Sequence, residues 1–370
     1  MTLDKSAATS PATMSREDRQ LWFLAGLRQA MADKGHAVAD SSAGEASEAS
    51  RIVINPIHPE RPKSYRRRSR TIFVVGLAAL DGLPEDILRE GYTLLVRSMS
   101  NVFMLLLEDE EGLAVYFITM ERGFYSVRYG GDDAAFFDAV AERLIPLATS
   151  RLVIDNVFTP DLPEALWNGD EHTEAIYRAG VRLAELDLLP AAFPLEELLG
   201  PRDLRHLHRL FGIGGLSYGN VSARLDEETF WMSASGVDKS HLCDVGTEVL
   251  LVAGFDEENQ AIHLSVPPNV TPRRVSVDAI EHYMLYREHP GVGAILHVHS
   301  WMNGIPSTEV NYPCGTIELA QEVAELVREA DDPNRAVIGL KNHGLTITGP
   351  SLDEIFDRVE SRLLHQIPMS

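Results

Sequence analysis

The stretch Ala294-Ile295-Leu296-His297-Val298-His299-Ser300 decides how this chain is read. Residues i and i+2 of a strand point to one face, so the two imidazoles of the His-x-His pair can reach the same ion. A third histidine, His343, lies between Asn342 and Gly344 after another apolar stretch. Three protein nitrogens with a fourth position left for substrate or water is the arrangement of a catalytic rather than a structural zinc. Two histidines on one strand face are also ordinary polar surface, and the spacing alone leaves both readings open.

Composition narrows the choice. A chain of 370 residues, 45% hydrophobic and 24% charged, is expected to fold as two soluble globular domains. No run approaches the 18 apolar residues of a membrane span, and Met1 to Ser15 lacks a basic region followed by a hydrophobic one. With Cys243 and Cys314 as the only cysteines, neither a disulfide framework nor a cysteine-rich zinc site is implied, and a cytoplasmic location is expected. The net charge of −22 is uneven: residues 1–70 hold 12 Lys and Arg against 8 Asp and Glu, so the remainder is strongly acidic. Nucleic acid is therefore disfavoured as a partner of the main body. The basic run Arg61, Lys63, Arg66, Arg67, Arg68 and Arg70 reads as a solvated linker or interdomain contact, with a polyanion-binding patch as the alternative.

Patterning predicts three regions. Residues 1–50 read as a mostly flexible segment with one helix over Ser15–Lys34, capped by Ser15 and Asp18, and Ala37–Ser50 as a linker. Residues 51–165 read as a small α+β domain. Its strands are predicted at Thr71–Ala78, Asn101–Glu108, Ala114–Met120, Gly123–Tyr129 and Arg151–Val157, and its helices at Pro84–Ser98 and Asp132–Thr149. Residues 171–370 read as α/β layers. Helices are predicted at Glu171–Leu188, Leu204–Phe211, Val277–His289 and Ile317–Ala330. Strands are predicted at Val221–Leu225, Phe230–Ser233, Glu248–Ala253, Ala294–His299 and Ala336–Leu340.

Five motifs in this third region occur in a telling order: Gly219-Asn220-Val221-Ser222, Ser233-Ala234-Ser235-Gly236, Ser276 to Tyr286 leading to His297-Val298-His299-Ser300, Pro313-Cys314-Gly315-Thr316, and Asn342-His343-Gly344. Together they resemble the class II aldolase/adducin superfamily over about residues 171–370. The resemblance implies an α/β/α layered domain with a central mixed sheet, usually in a homotetramer. It also implies a divalent metal on His297, His299 and His343: zinc in the sugar-phosphate aldolases, with manganese or iron as other candidates. Its members act on small, often phosphorylated polyols. The adducin branch keeps the fold without the chemistry, so fold alone does not establish an enzyme.

A metal chelated by a substrate hydroxyl and carbonyl polarises the carbonyl and stabilises an enediolate, which serves aldol cleavage, dehydration, decarboxylation or epimerisation. Such chemistry needs a base. Family aldolases carry a glutamate 19 residues before the first metal histidine, and Asp278 occupies that position here, one methylene shorter. Glu281, one turn on, is a possible substitute or a plain solvent-facing acid. By the same resemblance Gly219, Asn220, Ser235, Gly236 and Ser276 are candidates for a phosphate pocket, with Val277 in place of a second serine; glycines let backbone amides approach an anion and hydroxyls add donors. Arg273 and Arg274 could assist or lie on the surface. His282 and Tyr286 share a helix face and are candidates for a supporting role. His206 and His208 fall in a predicted helix, where i and i+2 diverge.

Two departures set this chain apart from the aldolases. Only thirteen residues separate His299 from Pro313, leaving no counterpart to the tyrosine the aldolases carry there, and 27 residues follow His343. Both tyrosine proton donors of the aldol reaction are in doubt. A metal-dependent lyase-type enzyme acting on a small hydroxy-carbonyl or sugar-phosphate-like compound, as a homo-oligomer, is the leading expectation. A catalytically silent, adducin-like interaction protein or a metal-binding regulatory subunit is the alternative.

Overall fold

The computed structural model describes residues 11–40, 51–66, 72–119, 124–186, 188, 199–202, 204–205 and 219–369. The predicted helix Leu204–Phe211 beyond Arg205, the glycine-rich turn before Gly219, His206, His208 and Arg67, Arg68 and Arg70 lie outside these residues. The chain divides into two compact units, Met1–Thr149 with Phe193–Asp203, and Ser150–Ala192 with Leu204–Ser370.

In the first unit, helix α1 spans Arg16–Asp33 and begins where the Ser15 side chain accepts the Asp18 backbone N–H, as the sequence predicts. Its buried face, Phe23, Leu24, Leu27 and Met31, packs against a strand and a second helix. The one helix expected within residues 1–50 is thus part of the domain core. The linker reading of Ala37–Ser50 fails at its start, because strand β1 (Val38–Asp40) pairs in parallel with β2 (Ile52–Pro56). The remaining strands are β3 (Phe73–Ala79), β4 (Val102–Asp109), β5 (Gly112–Thr119) and β6 (Phe124–Arg128). They form one six-stranded sheet in chain order, parallel through β4 and antiparallel after it. Helix α2 (Ile87–Ser98) joins β3 to β4, and α3 (Asp133–Thr149) packs on α1.

The boundary falls at Thr149, not near residue 165. Strand β7 (Asp155–Thr159), expected in the small domain, pairs in parallel with a strand of the second unit. That unit continues with helix α4 (Glu171–Glu185) and strands β8 (Gly219–Arg224), β9 (Phe230–Ser233), β10 (Val249–Asp256) and β11 (Ala261–Ser265). Helix α5 (Ala279–Glu288), strand β12 (Ala294–Val298), helix α6 (Ile317–Glu329), strands β13 (Val337–Leu340) and β14 (Gly344–Gly349) and helix α7 (Leu352–Val359) follow.

The eight strands form one mixed sheet, ordered β13-β14-β12-β8-β9-β10-β11-β7, in which only β11 and β7 run parallel. Helices α4 and α7 pack together against the β8, β12 and β14 region, and α5 and α6 pair with each other as the second helical layer. The second unit is thus an α/β/α layered domain with a central mixed sheet. Strands β8, β12 and β14 are buried along almost their whole length, as strands covered on both faces must be. Arg224 fastens α5 to this sheet by donating to the carbonyls of Tyr286 and His289 at the helix end and of Val292 beyond it.

Candidate metal centre

Strand β12 runs between β8 and β14, antiparallel to both, and His297 is opposite Asn220 on one side and Thr346 on the other. Directly opposed residues share a face, so Asn220, His297 and Thr346 form a polar row across three buried strands. Glycines make the close approach possible. A Cβ on Gly219 would lie 1.9 Å from the His297 carbonyl oxygen, and one on Gly344 would lie 2.2 Å from that of Val298. The glycines of the Gly-Asn and His-Gly motifs therefore have a packing reason: they let β8 and β14 close on the end of the His-x-His strand.

His343 reaches the same point from the β13–β14 turn. Asn342 takes left-handed backbone angles (φ 59°) there, and the His343 N–H donates to the Leu340 carbonyl at 3.0 Å. The three rings of His297, His299 and His343 form a near-equilateral triangle with centroids 5.0–5.1 Å apart. One nitrogen from each ring lies within 4.8 Å of the others. Burial and the neighbouring imidazoles hold His297 well below the usual histidine range, in its neutral, ligating form. Its Nδ1 is 3.1 Å from the Leu345 carbonyl. A carbonyl can only accept, so Nδ1 carries the proton and Nε2 presents its lone pair.

The donor set fits a divalent ion. The Nε2 atoms of His297 and His343 are 3.1 Å apart, close to the roughly 3.3 Å edge of a tetrahedron of imidazole nitrogens around zinc. A second group, Cys243, Asp244 and Glu248, also has ligand atoms in proximity. There Glu248 already accepts the backbone N–H groups of Cys243 and Asp244, and the group is a hydrogen-bonded surface turn.

Helix α5 lays its first turn over the polar row. Asp278, the residue before the helix, is buried, and its Oδ2 accepts the Asn220 Nδ2–H at 2.6 Å. Asn220, a candidate for the phosphate pocket in the sequence, has its amide on this carboxylate. Glu281 is not solvent-facing: it is 2% exposed and accepts from the Thr346 hydroxyl at 2.5 Å. Burial, reinforced by the charge of Asp278, pushes its carboxyl up to about 8. His282 is fully buried, hydrogen-bonded through Nδ1 to Ser222 at 2.8 Å, and burial lowers it to about 3. Tyr286 meets the same Ser222 hydroxyl at 2.8 Å. Lys239, which the sequence reading did not single out, is 3% exposed; burial lowers its ammonium to about 8 while the charge of Asp278 acts in the opposite sense.

Ser235, Gly236 and Ser276 come together beside this layer. The Ser235 N–H donates to the Arg274 carbonyl, the Ser276 N–H donates to that of Ser233, and Ala234 bridges Val275. Gly236 takes φ 69°, which favours glycine. Arg273 is exposed, and Tyr312 is half-buried against the core. The short segment after His299 is tied down by the chain end: the backbones of Trp301 and Leu364 exchange hydrogen bonds, and Ser300 donates to the Leu364 carbonyl.

Part of the second unit is similar in sequence to known proteins. Residues 204–310 match the family model of the Class II Aldolase and Adducin N-terminal domain. An L-fuculose phosphate aldolase of Methanocaldococcus jannaschii is 28% identical over 144 residues, 33% of this chain and 74% of that protein. A methylthioribulose-1-phosphate dehydratase of Serratia proteamaculans is 39% identical over 82 residues, 22% of this chain and 34% of that protein. This chain thus spans only about a third of that dehydratase. A solved L-fuculose 1-phosphate aldolase aligns over 52% of this chain and 81% of its own at 17% identity, with a TM-score of 0.36.

Proposed function

We propose that this chain, whose second unit is a class II aldolase/adducin superfamily domain, is a metal-dependent lyase-type enzyme that removes a proton next to the carbonyl of a small hydroxy-carbonyl compound. The observation that supports this most is the pairing of a convergent histidine triad, two of its members buried, with a carboxylate held by the neighbouring strand: Asn220 opposes His297 in the sheet and donates to Asp278. A divalent ion on His297, His299 and His343 would polarise the substrate carbonyl and acidify the neighbouring C–H.

Asp278 is the base in this reading. Asn220 holds its Oδ2 in place, and the Lys239 ammonium favours its charged form. An ionised carboxylate in a water-poor layer can accept a proton without prior reorganisation. Ser235, Gly236, Ser276 and Gly219 serve as the anion side of the pocket for a phosphorylated substrate, and the protein works as a homo-oligomer, the state that its family resemblance implies.

The experiment needs no knowledge of the natural substrate. Zinc-loaded protein is incubated in D2O with a panel of small α-hydroxy ketones and their phosphates, and deuterium entry next to the carbonyl is followed by NMR. Exchange with at least one member, lost in Asp278→Asn and in His297→Ala, is expected. A folded, metal-loaded protein that exchanges none of them would favour a silent interaction protein.

A further inference from the structure

Glu281 is charged by composition, buried by structure and unused by the chemistry proposed above. Its Oε1 takes the Thr346 hydroxyl, and its Oε2 is buried with no hydrogen-bond partner among the described residues. Thr346 is fully buried and directly opposite His297 in the sheet. The residue before Thr346 is Leu345, whose carbonyl receives the His297 Nδ1–H.

We infer that Glu281 is a positioning residue for the metal centre: by clamping Thr346 it immobilises the β14 peptide whose Leu345 carbonyl orients the His297 ring. The inference rests on reading the triad as a metal site. A chain from carboxyl to hydroxyl to backbone carbonyl to imidazole is the kind of outer support that fixes a ligand's tautomer and angle. The same clamp holds the first turn of α5 on the sheet, one turn from Asp278. A partly satisfied buried carboxyl is costly as a packing element, and an apolar residue would fill the space at lower cost, so its presence points to what it holds.

The clamp needs a hydrogen-bond acceptor, not a charge. With its carboxyl pushed up to about 8, Glu281 is mostly neutral at pH 7, and glutamine reproduces its shape and its acceptor oxygen. Glu281→Gln should therefore preserve the centre, whereas Glu281→Leu and Thr346→Val should each loosen it.

The test uses Co2+ alone, titrated into metal-free full-length protein and followed by its visible absorption, with circular dichroism to establish folding. The parent and Glu281→Gln should bind with affinities within about threefold, and Glu281→Leu and Thr346→Val about tenfold or more weaker with an altered spectrum, the usual scale for loss of outer support. The double variant should lose no more than the weaker single variant, because both act through one chain. Should Glu281→Leu fail to fold, Glu281→Gln and Thr346→Val still decide. Parent-like binding by Thr346→Val or Glu281→Leu, multiplying losses in the double variant, or a Glu281→Gln as weak as Glu281→Leu overturns this inference alone. A parent that takes up no cobalt overturns the metal reading and this inference with it.

Discussion

His297 and His343 bring their Nε2 atoms to 3.1 Å from one another, although 46 residues separate them in the chain and both rings are almost fully buried. Two imidazole nitrogens turned toward one point make a site suited to a cation, and His299 closes the triangle. Zinc should accordingly stabilise the fold. At a free concentration about 100 times the dissociation constant the gain is about 2.7 kcal/mol, readable as a rise in the urea midpoint that a chelator reverses. In His297→Ala the midpoint should no longer respond to zinc.

Asn220 and Asp278 form one unit, so their loss should not be independent. Asp278→Asn is expected to reduce proton exchange by about 10²–10⁴-fold, the range for a positioned base. Asn220→Ala, which leaves the carboxylate but frees its orientation, should cost less in rate and leave zinc binding in place. Equal exchange by Asp278→Asn and the parent would show that another group is the base.

Glu281 and His282, both buried on α5, should shape the stability of the metal-free protein in opposite directions. His282, lowered from 6.5 to about 3, is neutral in the fold but protonated in the unfolded chain between those values, so it costs stability as pH falls below 6.5. Glu281, raised from 4.5 to about 8, is protonated in the fold but ionised in the unfolded chain, so its cost grows as pH rises from 4.5 toward 8. The two slopes offset each other between pH 4.5 and 6.5. Urea midpoints against pH should show the alkaline slope reduced in Glu281→Gln and the acid slope reduced in His282→Gln; unchanged slopes in both would mean that neither group is buried as described.

Gly344→Ala should be destabilising out of proportion to its size. Its Cβ would meet the Val298 carbonyl oxygen at 2.2 Å, and backbone cannot step aside as a side chain can. A loss of about 1–3 kcal/mol, typical of overpacking, and weaker zinc binding are expected, because β14 would be pushed off the strand that carries His297 and His299. Gly304→Ala, with no atom of the described residues within 4 Å of its Cβ but φ 74°, separates backbone strain from close approach.

Much of the site was legible because its signals are local. The alternation at His297 and His299 is visible in three residues, and motif order proposes Asp278, Ser235 and Ser276 as candidates. The supporting layer was not legible, since it depends on which strands lie side by side. Thr346 reads as an ordinary β-branched residue until β14 is placed beside β12, and Glu281 reads as surface until α5 is laid on the sheet. Strands β2, β11 and β14 escaped although they are no shorter than β9, β12 and β13, which were predicted; the neighbours they pair with identify them. The domain boundary was misplaced for a related reason: β7 joins the second unit by pairing with β11, about a hundred residues later, and no local pattern announces a partner that distant.

The central claim is that His297, His299 and His343 hold one divalent ion, and X-ray absorption at the zinc edge of the zinc-loaded protein tests it most directly. One zinc per chain with a first shell containing three imidazole nitrogens, reduced in His343→Ala, is the predicted result. A shell containing sulfur, which would place the ion at a cysteine, or one with a single imidazole or none would contradict it.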